Sequence, residues 1–396
     1  MTLSNTFIPY GHYWSSAFCR WQGALAGQNS VELVAATAKR FLAERDIDGA
    51  HFDSLSLGVT VPQKHSFYGA PWVAGMMGLE TITGPTLAQA CATSARVIAS
   101  AAGDLESGTH DCTLALTCDR TSNGPQMFYP NPNGIGGMAD VEAWVWDNFN
   151  RDPHAGGAML STAENAAKAA GISREEQDEV TLIRHQQYQK ALADDRAFQK
   201  RYMFPVEFQM GKKTVTVSED EGIFPTTAEG LAKLRPVMKE GTVTFGGQTH
   251  PADGHAGMVL CSATKAAELS VNSAVTIQIL AFGTARVDKG HMPMAVVPAA
   301  EKALANAGMN FGDMNAIKTH NPFAVNDVYL SKMANIPTDK VNDYGSPLIY
   351  GHPQGPTGMR VIIELIEQLV LEGGGHGLFA GCAAGDTAMA LVLKVS

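Results

Sequence analysis

Apolar runs of strand length recur along the chain, and amphipathic stretches of helix length lie between them. The strand-like runs are Leu55–Val61, Cys112–Cys118, Val275–Phe282 and Ala388–Val395. Apolar residues spaced three or four positions apart predict helices over Val31–Glu44, Ala92–Leu105 and Arg360–Glu372. Strands that alternate with helices in this way are typical of an α/β fold with buried sheets.

The middle of the chain follows a different pattern. Thr121–Met138 is rich in Asn, Pro and Gly and predicts a loop. Thr162–Ala170 and Ser173–Asp194 predict helices, and Ser173 with Glu176 forms a candidate capping box at the start of the second.

These patterns suggest a division of the chain into three parts. We interpret residues 121–244 as an inserted loop domain between two α/β halves. The N-terminal half would span residues 1–120 and be completed by about residues 245–270. The C-terminal half would span residues 271–396.

Composition and charge narrow the class of partner. The chain has 396 residues, 45% of them hydrophobic, which is enough for a large core. Its formal net charge is −10, which argues against nucleic acid or an anionic membrane as partner. A local group of backbone amides and cations could still bind an anionic coenzyme.

The six cysteines show no C-x-x-C spacing, so we expect neither a metal site nor a disulfide framework. The first residues lack a basic segment followed by an apolar run, and no stretch of about 18 apolar residues occurs. A reducing, cytoplasmic location is therefore predicted.

Cys91 is the sharpest candidate for chemistry. It lies among small residues at the start of a predicted helix. The helix dipole and the free amides there would favour a thiolate, so we expect a lowered pKa. The alternative is a buried structural cysteine.

Three other residues could act with Cys91. His352 lies in Gly-His-Pro and, like Cys91, is expected at a strand-to-helix turn. Cys382 is expected in a small-residue turn after the strand-like Gly377–Ala380, where free amides could hold an oxyanion. His320 follows a strand-like run and could donate to a thioester carbonyl. Taken alone, Cys382 is better explained as a buried structural cysteine, the Gly-His-Pro signal at His352 is weak, and His320 could be a polar group satisfied within a loop.

Five segments, in order and at matching separations, resemble the sequence motifs of the thiolase family. They are Gln89–Ala95, Met159–Glu164, Gly241–Gly246 with Thr249 and Asp253-Gly254, Gly345–Arg360, and Cys382–Asp386. Taken from the residues alone, Asp253-Gly254 predicts a turn.

The resemblance implies a five-layered α/β/α/β/α architecture made of two similar halves, each with a five-stranded sheet. The inserted loop domain would cover the active site. It also implies a homodimer or homotetramer that takes acyl-CoA and CoA as co-substrates and holds no permanently bound cofactor. Some divergent members of the family work with a small, zinc-bearing OB-fold subunit, and such a partner is a further expectation.

The resemblance also implies roles for the four reactive residues. Cys91 would be the acylated nucleophile and His352 its base. Cys382 would move the proton at C2 of the acyl-CoA. His320 would join His352 in an oxyanion hole, and the amide of Ala384 would join that of Cys91 in a second one.

On the substrate side, Met159, Thr249 and Phe323 would line the pantetheine channel, with Asn321 beside them. The family often has Asn-Glu-Ala-Phe where residues 320–323 are His-Asn-Pro-Phe. This departure and others suggest a divergent branch with a non-standard acyl substrate. Phe128 and Tyr129 in the predicted loop would suit a bulky or aromatic acyl group.

The predicted function is therefore thiolytic cleavage of a 3-oxoacyl-CoA, or the reverse Claisen condensation. One alternative is a decarboxylating ketoacyl-synthase-like enzyme, for which Cys91, His320 and His352 would suffice. Cys382 argues against it, because decarboxylation makes deprotonation at C2 unnecessary. The other alternative is a non-catalytic acyl-CoA-binding subunit.

Overall fold

A computed structural model describes residues 3–396 of the chain. The longer strands of the two large sheets are mostly buried, as expected for internal sheets, whereas the strands of the two hairpins are mostly exposed or half-buried. The strands are β1 (Tyr13–Ser15), β2 (Cys19–Arg20), β3 (Ser54–Gly58), β4 (Thr86–Leu87), β5 (Cys112–Arg120), β6 (Gln126–Tyr129), β7 (Asp140–Ala143), β8 (Val206–Met210), β9 (Lys213–Val217), β10 (Ala252–Cys261), β11 (Ile277–Arg286), β12 (Ala316–His320), β13 (Gly375–Ala383) and β14 (Thr387–Val395).

The helices separate most of these strands, and none within residues 3–396 is long and apolar enough to cross a membrane. They are α1 (Ser30–Glu44), α2 (Gly69–Met77), α3 (Thr93–Glu106), α4 (Trp144–Asn150), α5 (Met159–Ala170), α6 (Arg174–Arg196), α7 (Ala228–Ala232), α8 (Ala263–Leu269), α9 (Val296–Ala307), α10 (Ala324–Ala334), α11 (Pro347–Tyr350) and α12 (Thr357–Leu371).

Two large sheets share one pattern of strand pairing. The first has the order β1-β10-β5-β3-β4, with β2 also paired to β10, and the second has the order β11-β14-β13-β12. In both, two antiparallel pairings precede the parallel one. Ile317 of β12 then forms a parallel bridge with Val341, in the place that β4 takes in the first sheet. The expected pair of five-stranded sheets is wrong in number, since the sheets have six and four strands.

The helices and sheets form the five layers that the fold prediction required. Helices α3 and α12 pack against each other between the sheets, α1 and α2 cover the first sheet, and α9 and α10 cover the second. The two helices of the central layer are closely packed. A Cβ atom added to Gly358 of α12 would lie only 3.1 Å from Cβ of Ser94 in α3. The α/β architecture made of two similar halves is therefore confirmed.

The segment 121–244 carries two hairpins, β6–β7 and β8–β9, and helices α4 to α7. The capping box between Ser173 and Glu176 is present. The prediction of a loop over Thr121–Met138 is wrong in part, because β6 lies within it. The division of the chain into three parts stays an interpretation.

The chain returns to the first sheet through β10, which the sequence analysis did not predict. Asp253-Gly254 was expected to form a turn but lies inside this strand. The Asp253 carboxylate accepts hydrogen bonds from the amide of Ser122 at 2.9 Å and the hydroxyl of Thr121 at 3.3 Å. A buried carboxylate with these partners is compatible with a central strand, although Asp and Gly are rare there.

Candidate active site

A tight, strained turn presents Cys91 at the start of α3. Ala90, the residue before it, has φ +43°, a left-handed conformation that residues other than glycine rarely adopt. The hydroxyl of Thr93 stabilises the turn, since it donates to the Ala90 carbonyl at 2.7 Å and accepts from the Gln89 amide at 2.8 Å. Cys91 keeps part of its surface exposed, whereas the other cysteines of the chain are buried.

His352 lies between two helices, so the expectation of a strand-to-helix turn is wrong for this residue. Helix α11 precedes it and α12 follows, while a single bridge joins His352 to Pro251. The ring is buried, and Nδ1 shares a hydrogen bond of 2.6 Å with the hydroxyl of Thr357. Nε2 has no protein partner and is left available for a reacting group.

The loop that carries His352 is held by the first half of the molecule. The Gly355 amide donates to the carboxylate of Asp119 at 2.8 Å, and the hydroxyl of Ser94 donates to the Gly355 carbonyl. A Cβ atom on residue 355 would lie only 2.7 Å from Asp119, so the contact needs a glycine. These bonds connect the His352 loop to the helix that begins beside Cys91.

His320 is the last residue of β12, which agrees with its predicted place after a strand. Its ring lies 4.1 Å from the ring of His352, measured between centroids, and both of its nitrogens lack a partner. One ligand atom each from Cys91, His320 and His352 lie within 4.8 Å of one another. Residues separated by up to 261 positions therefore converge on one point.

Cys382 lies in β13, not in the turn after it as predicted; the turn is formed by residues 384–386. Its sulfur accepts a hydrogen bond from the Asn326 amide at 3.3 Å. Burial, and next the charge of Cys91, raise the pKa of Cys382. Cys382 is adjacent to the site in the fold, because its neighbour Gly381 pairs with His320 across β12 and β13.

The pKa of Cys91 is raised to about 12, so the expectation of a lowered value is wrong. Burial is the main cause, and the charge of Asp119 adds to it. Hydrogen bonds from the backbone amides of Ala384 and Cys91 itself act in the opposite direction. The free-energy cost of removing the thiolate from water is therefore larger here than the stabilisation that the amides at the start of the helix provide.

Burial also lowers the pKa of both histidines. That of His320 falls to about 3, and that of His352 lies well below its ordinary value, with a further decrease from the charge of His320. At neutral pH the site therefore holds a neutral thiol and two neutral imidazoles. An imidazole in this state can accept a proton.

Two residues that the sequence analysis did not select also belong to the site. The Cys91 thiol donates a hydrogen bond to Oε1 of Gln354 at 3.2 Å. Asp119 accepts hydrogen bonds from the amides of Thr60 and Val61, and burial raises its pKa to about 7. Asp119 ends an apolar run and Gln354 lies within the His352 motif, but neither pattern reveals what the side chain contacts.

Asn321, predicted on the substrate side, is buried with its amide fully engaged. It donates to Asp327 at 2.6 Å and Ser346 at 3.0 Å, and accepts from the amide of Leu348 at 3.2 Å. The side chain therefore fixes the loop that follows His320.

The three predicted channel residues lie near the border between the insertion and the second half. The Thr249 hydroxyl donates to the Pro347 carbonyl at 2.5 Å. Phe323 is buried in the core of the second half, and Met159 packs against that core from the start of α5. Their contact with a substrate stays a prediction.

Comparisons with known proteins show which family the chain resembles. A family model described as "Thiolase, N-terminal domain" matches residues 14–264, and one described as "Thiolase, C-terminal domain" matches residues 273–395. The chain is 30% identical over 389 residues to an acetyl-CoA acetyltransferase of Escherichia coli K12, covering 96% of each chain. It is 28% identical over 381 residues to an acetyl-CoA acetyltransferase of Pseudomonas aeruginosa, covering 94% of this chain and 95% of that one.

Solved structures show the same relationship in three dimensions. An acetyl-CoA acetyltransferase of Bacillus anthracis superimposes with a TM-score of 0.91 at 28% identity, covering all of both chains. Human mitochondrial 3-ketoacyl-CoA thiolase in complex with CoA superimposes with a TM-score of 0.90 at 25% identity, covering 100% of this chain and 99% of that one. The chain belongs to the thiolase family and is an acyltransferase.

Proposed function

We propose that the protein transfers an acyl group between CoA thioesters through an acyl-Cys91 intermediate. The reaction would be thiolytic cleavage of a 3-oxoacyl-CoA or, in reverse, Claisen condensation. One observation carries the proposal: Cys91, His320 and His352 come from distant parts of the chain and lie together, with Cys382 on the strand beside His320. A nucleophile, a base and a second proton carrier are the groups that this reaction needs.

In the cleavage direction, His352 Nε2 accepts the proton of the Cys91 thiol as the sulfur attacks C3 of the substrate. The raised pKa of Cys91 and the lowered pKa of His352 keep both groups neutral until a substrate arrives. Proton transfer then accompanies the attack, so no charged pair has to persist in the buried site.

Two groups of donors would stabilise the charges that develop. The amides of Ala384 and Cys91 already favour negative charge at this sulfur, which supports a role in binding the tetrahedral oxyanion. The protonated His352 and His320 face the same space and would stabilise the thioester oxygen of the departing enolate. Their unpartnered nitrogens support this assignment.

The C2–C3 bond then breaks, and Cys382 protonates C2 to release acetyl-CoA. The acyl group stays on Cys91 as a thioester until the thiol of CoA attacks it. The CoA proton passes to the Cys382 thiolate, and the Cys91 sulfur leaves with the proton held by His352. Asn326 holds the Cys382 sulfur from the side of the second half. Burial raises the pKa of Cys382, which suits a group that delivers a proton to a carbanion.

Decarboxylating condensation is the second candidate, since Cys91, His320 and His352 converge as a cysteine and two histidines. That reaction forms its carbanion by loss of CO₂, so it needs no residue that transfers a proton at C2, which is the role proposed for Cys382. The interaction between Cys382 and Cys91 favours the thiolase reaction.

The finer features of the function are proposals as well. We propose CoA as co-substrate without a permanently bound cofactor, a homodimer or homotetramer, and a cytoplasmic location, the last because its cysteines are free. A small OB-fold partner subunit stays a prediction. A non-standard acyl group stays a prediction. Phe128 and Tyr129 are 69% and 43% exposed, so they give no support for an aromatic one.

Intact-protein mass spectrometry after mixing with a panel of acyl-CoA and 3-oxoacyl-CoA thioesters tests the proposal. We expect an acyl adduct that peptide mapping places on Cys91 and that Cys91→Ser abolishes. A fully active Cys91→Ser variant would contradict the mechanism.

Cys382→Ser separates the two half-reactions. The variant should still be acylated by a simple acyl-CoA, whereas its rate of carbon–carbon cleavage should fall by about 10²–10⁴, the usual contribution of a general acid or base. Equal loss of both steps would show that Cys382 does not have a separate role.

A further inference from the structure

We propose that Cys91, His320 and His352 form a binding site for a zinc ion, which blocks the nucleophile reversibly. These residues already have roles in acyl transfer, but zinc binding is a separate property that does not depend on that activity. Neither the sequence spacing nor the proposed reaction calls for a metal.

The geometry is the first argument. One ligand atom from each of the three side chains lies within 4.8 Å of the others. In tetrahedral zinc sites, with Zn–N about 2.0–2.1 Å and Zn–S about 2.3 Å, neighbouring ligand atoms lie roughly 3.3–3.6 Å apart. Small side-chain rotations would close the difference. A thiolate and two imidazoles are a ligand set that zinc favours, and the fourth position would hold water.

The unpartnered nitrogens are the second, independent argument. Both ring nitrogens of His320 and Nε2 of His352 are buried without a hydrogen bond. The Thr357 hydroxyl at Nδ1 of His352 matches the outer hydrogen bond that orients zinc-bound histidines and directs Nε2 at the ion.

His320 supplies the second imidazole of the site. The family often has Asn at the corresponding position, and an amide supplies a much poorer zinc ligand than an imidazole. When zinc binds, the S–Zn bond replaces the S–H bond, and the Cys91 proton passes to solvent without any change in oxidation state. The sulfur is then unavailable for acylation until a chelator removes the ion.

Calorimetric titration of the full-length protein with zinc chloride tests the proposal without any acyl-CoA substrate. We expect one ion per chain and at least about tenfold weaker binding in His320→Asn, because one of three protein ligands is lost. The matched control is His376→Asn, at the start of β13 and remote from Cys382 on the same strand. Its affinity should equal that of the unaltered protein.

Cobalt provides a spectroscopic test. Co²⁺ in place of zinc should give a thiolate-to-cobalt charge-transfer band that is absent in Cys91→Ser and in protein whose Cys91 has been alkylated by iodoacetamide. The alkylated sample is made from the unaltered protein, so this comparison remains valid even if a variant does not fold. Absence of zinc binding to the unaltered protein would overturn the proposal, as would binding that survives both His320→Asn and alkylation. Acyl adducts on Cys91 would still form in either case, so the proposed function is tested separately.

Discussion

At the scale of single residues, the state of Cys91 determines how the site is activated. A thiol with a pKa of about 12, next to two neutral imidazoles, reacts only when a base removes its proton at the moment of attack. The resting site thus differs from enzymes that store a thiolate–imidazolium pair.

This difference predicts an unusual pH dependence for alkylation of Cys91 by iodoacetamide. Since the thiolate fraction rises tenfold per pH unit below the pKa, the rate should increase from pH 7 to pH 10 without a plateau. Free cysteine in the same buffers, with a pKa of about 8.5, should level off near pH 9–10. Peptide mapping at each pH would measure the rate at Cys91, and a plateau near neutral pH would show a stored thiolate instead.

The candidate catalytic residues could be found from the sequence, whereas their burial and their contacts could not. Cys91, His320, His352 and Cys382 stand in short motifs of small residues. The raised pKa of Cys91 depends on burial by segments far away in the chain, and a local argument from the helix start gave the wrong sign. Gln354 was missed because its contact with Cys91 exists only in the folded molecule.

At the scale of elements, α12 connects the His352 loop to the insertion. Its Arg360 is fully buried and forms two hydrogen bonds of 2.6 and 2.7 Å with Asp220, which follows β9. The guanidinium also binds Glu364 at 3.0 Å and stacks on Tyr350 at 3.8 Å from the ring centroid. This group of side chains fixes the first turn of α12, which follows the His352 loop directly in the chain.

Asp220→Asn should therefore destabilise the protein strongly. Removing one partner leaves a buried charge less well compensated, which typically costs about 3–5 kcal/mol. Urea unfolding would measure the loss of free energy. Glu207→Gln is the matched control, since it breaks the more exposed pair with Arg40 and should cost about 1 kcal/mol or less. Equal losses of unfolding free energy in the two variants would show that the buried ion pair stabilises the protein no more than the exposed one.

Elements with a clear period were predictable, and those without one were not. Helices α1, α3 and α12 differ from their predicted bounds by at most three residues at either end. Strand β10 was missed because its first residues, Ala-Asp-Gly-His, include polar ones, and the partners of the Asp253 carboxylate lie far away in the chain. The two halves are similar in the order and direction of their strands, and this similarity is not visible in the amino-acid sequence.

At the scale of the whole molecule, an apolar hairpin projects from the insertion. Ile135 is 92% exposed and Met138 73%, and Phe128 and Val141 on the strands of the same hairpin are also exposed. Exposed apolar patches of this kind are typical of surfaces that bind another chain. The hairpin is therefore the surface that we expect to join copies of the protein.

The double variant Ile135→Asn, Met138→Gln should shift the protein to smaller assemblies at equal concentration, because it removes apolar area from the contact without altering the two sheets. Analytical ultracentrifugation over a range of concentrations would measure the distribution of species. Val271→Asn changes an apolar side chain that is 55% exposed elsewhere on the surface and should leave the distribution unchanged. If both variants behave like the unaltered protein, the hairpin does not hold the assembly together, and its apolar tip must serve another contact.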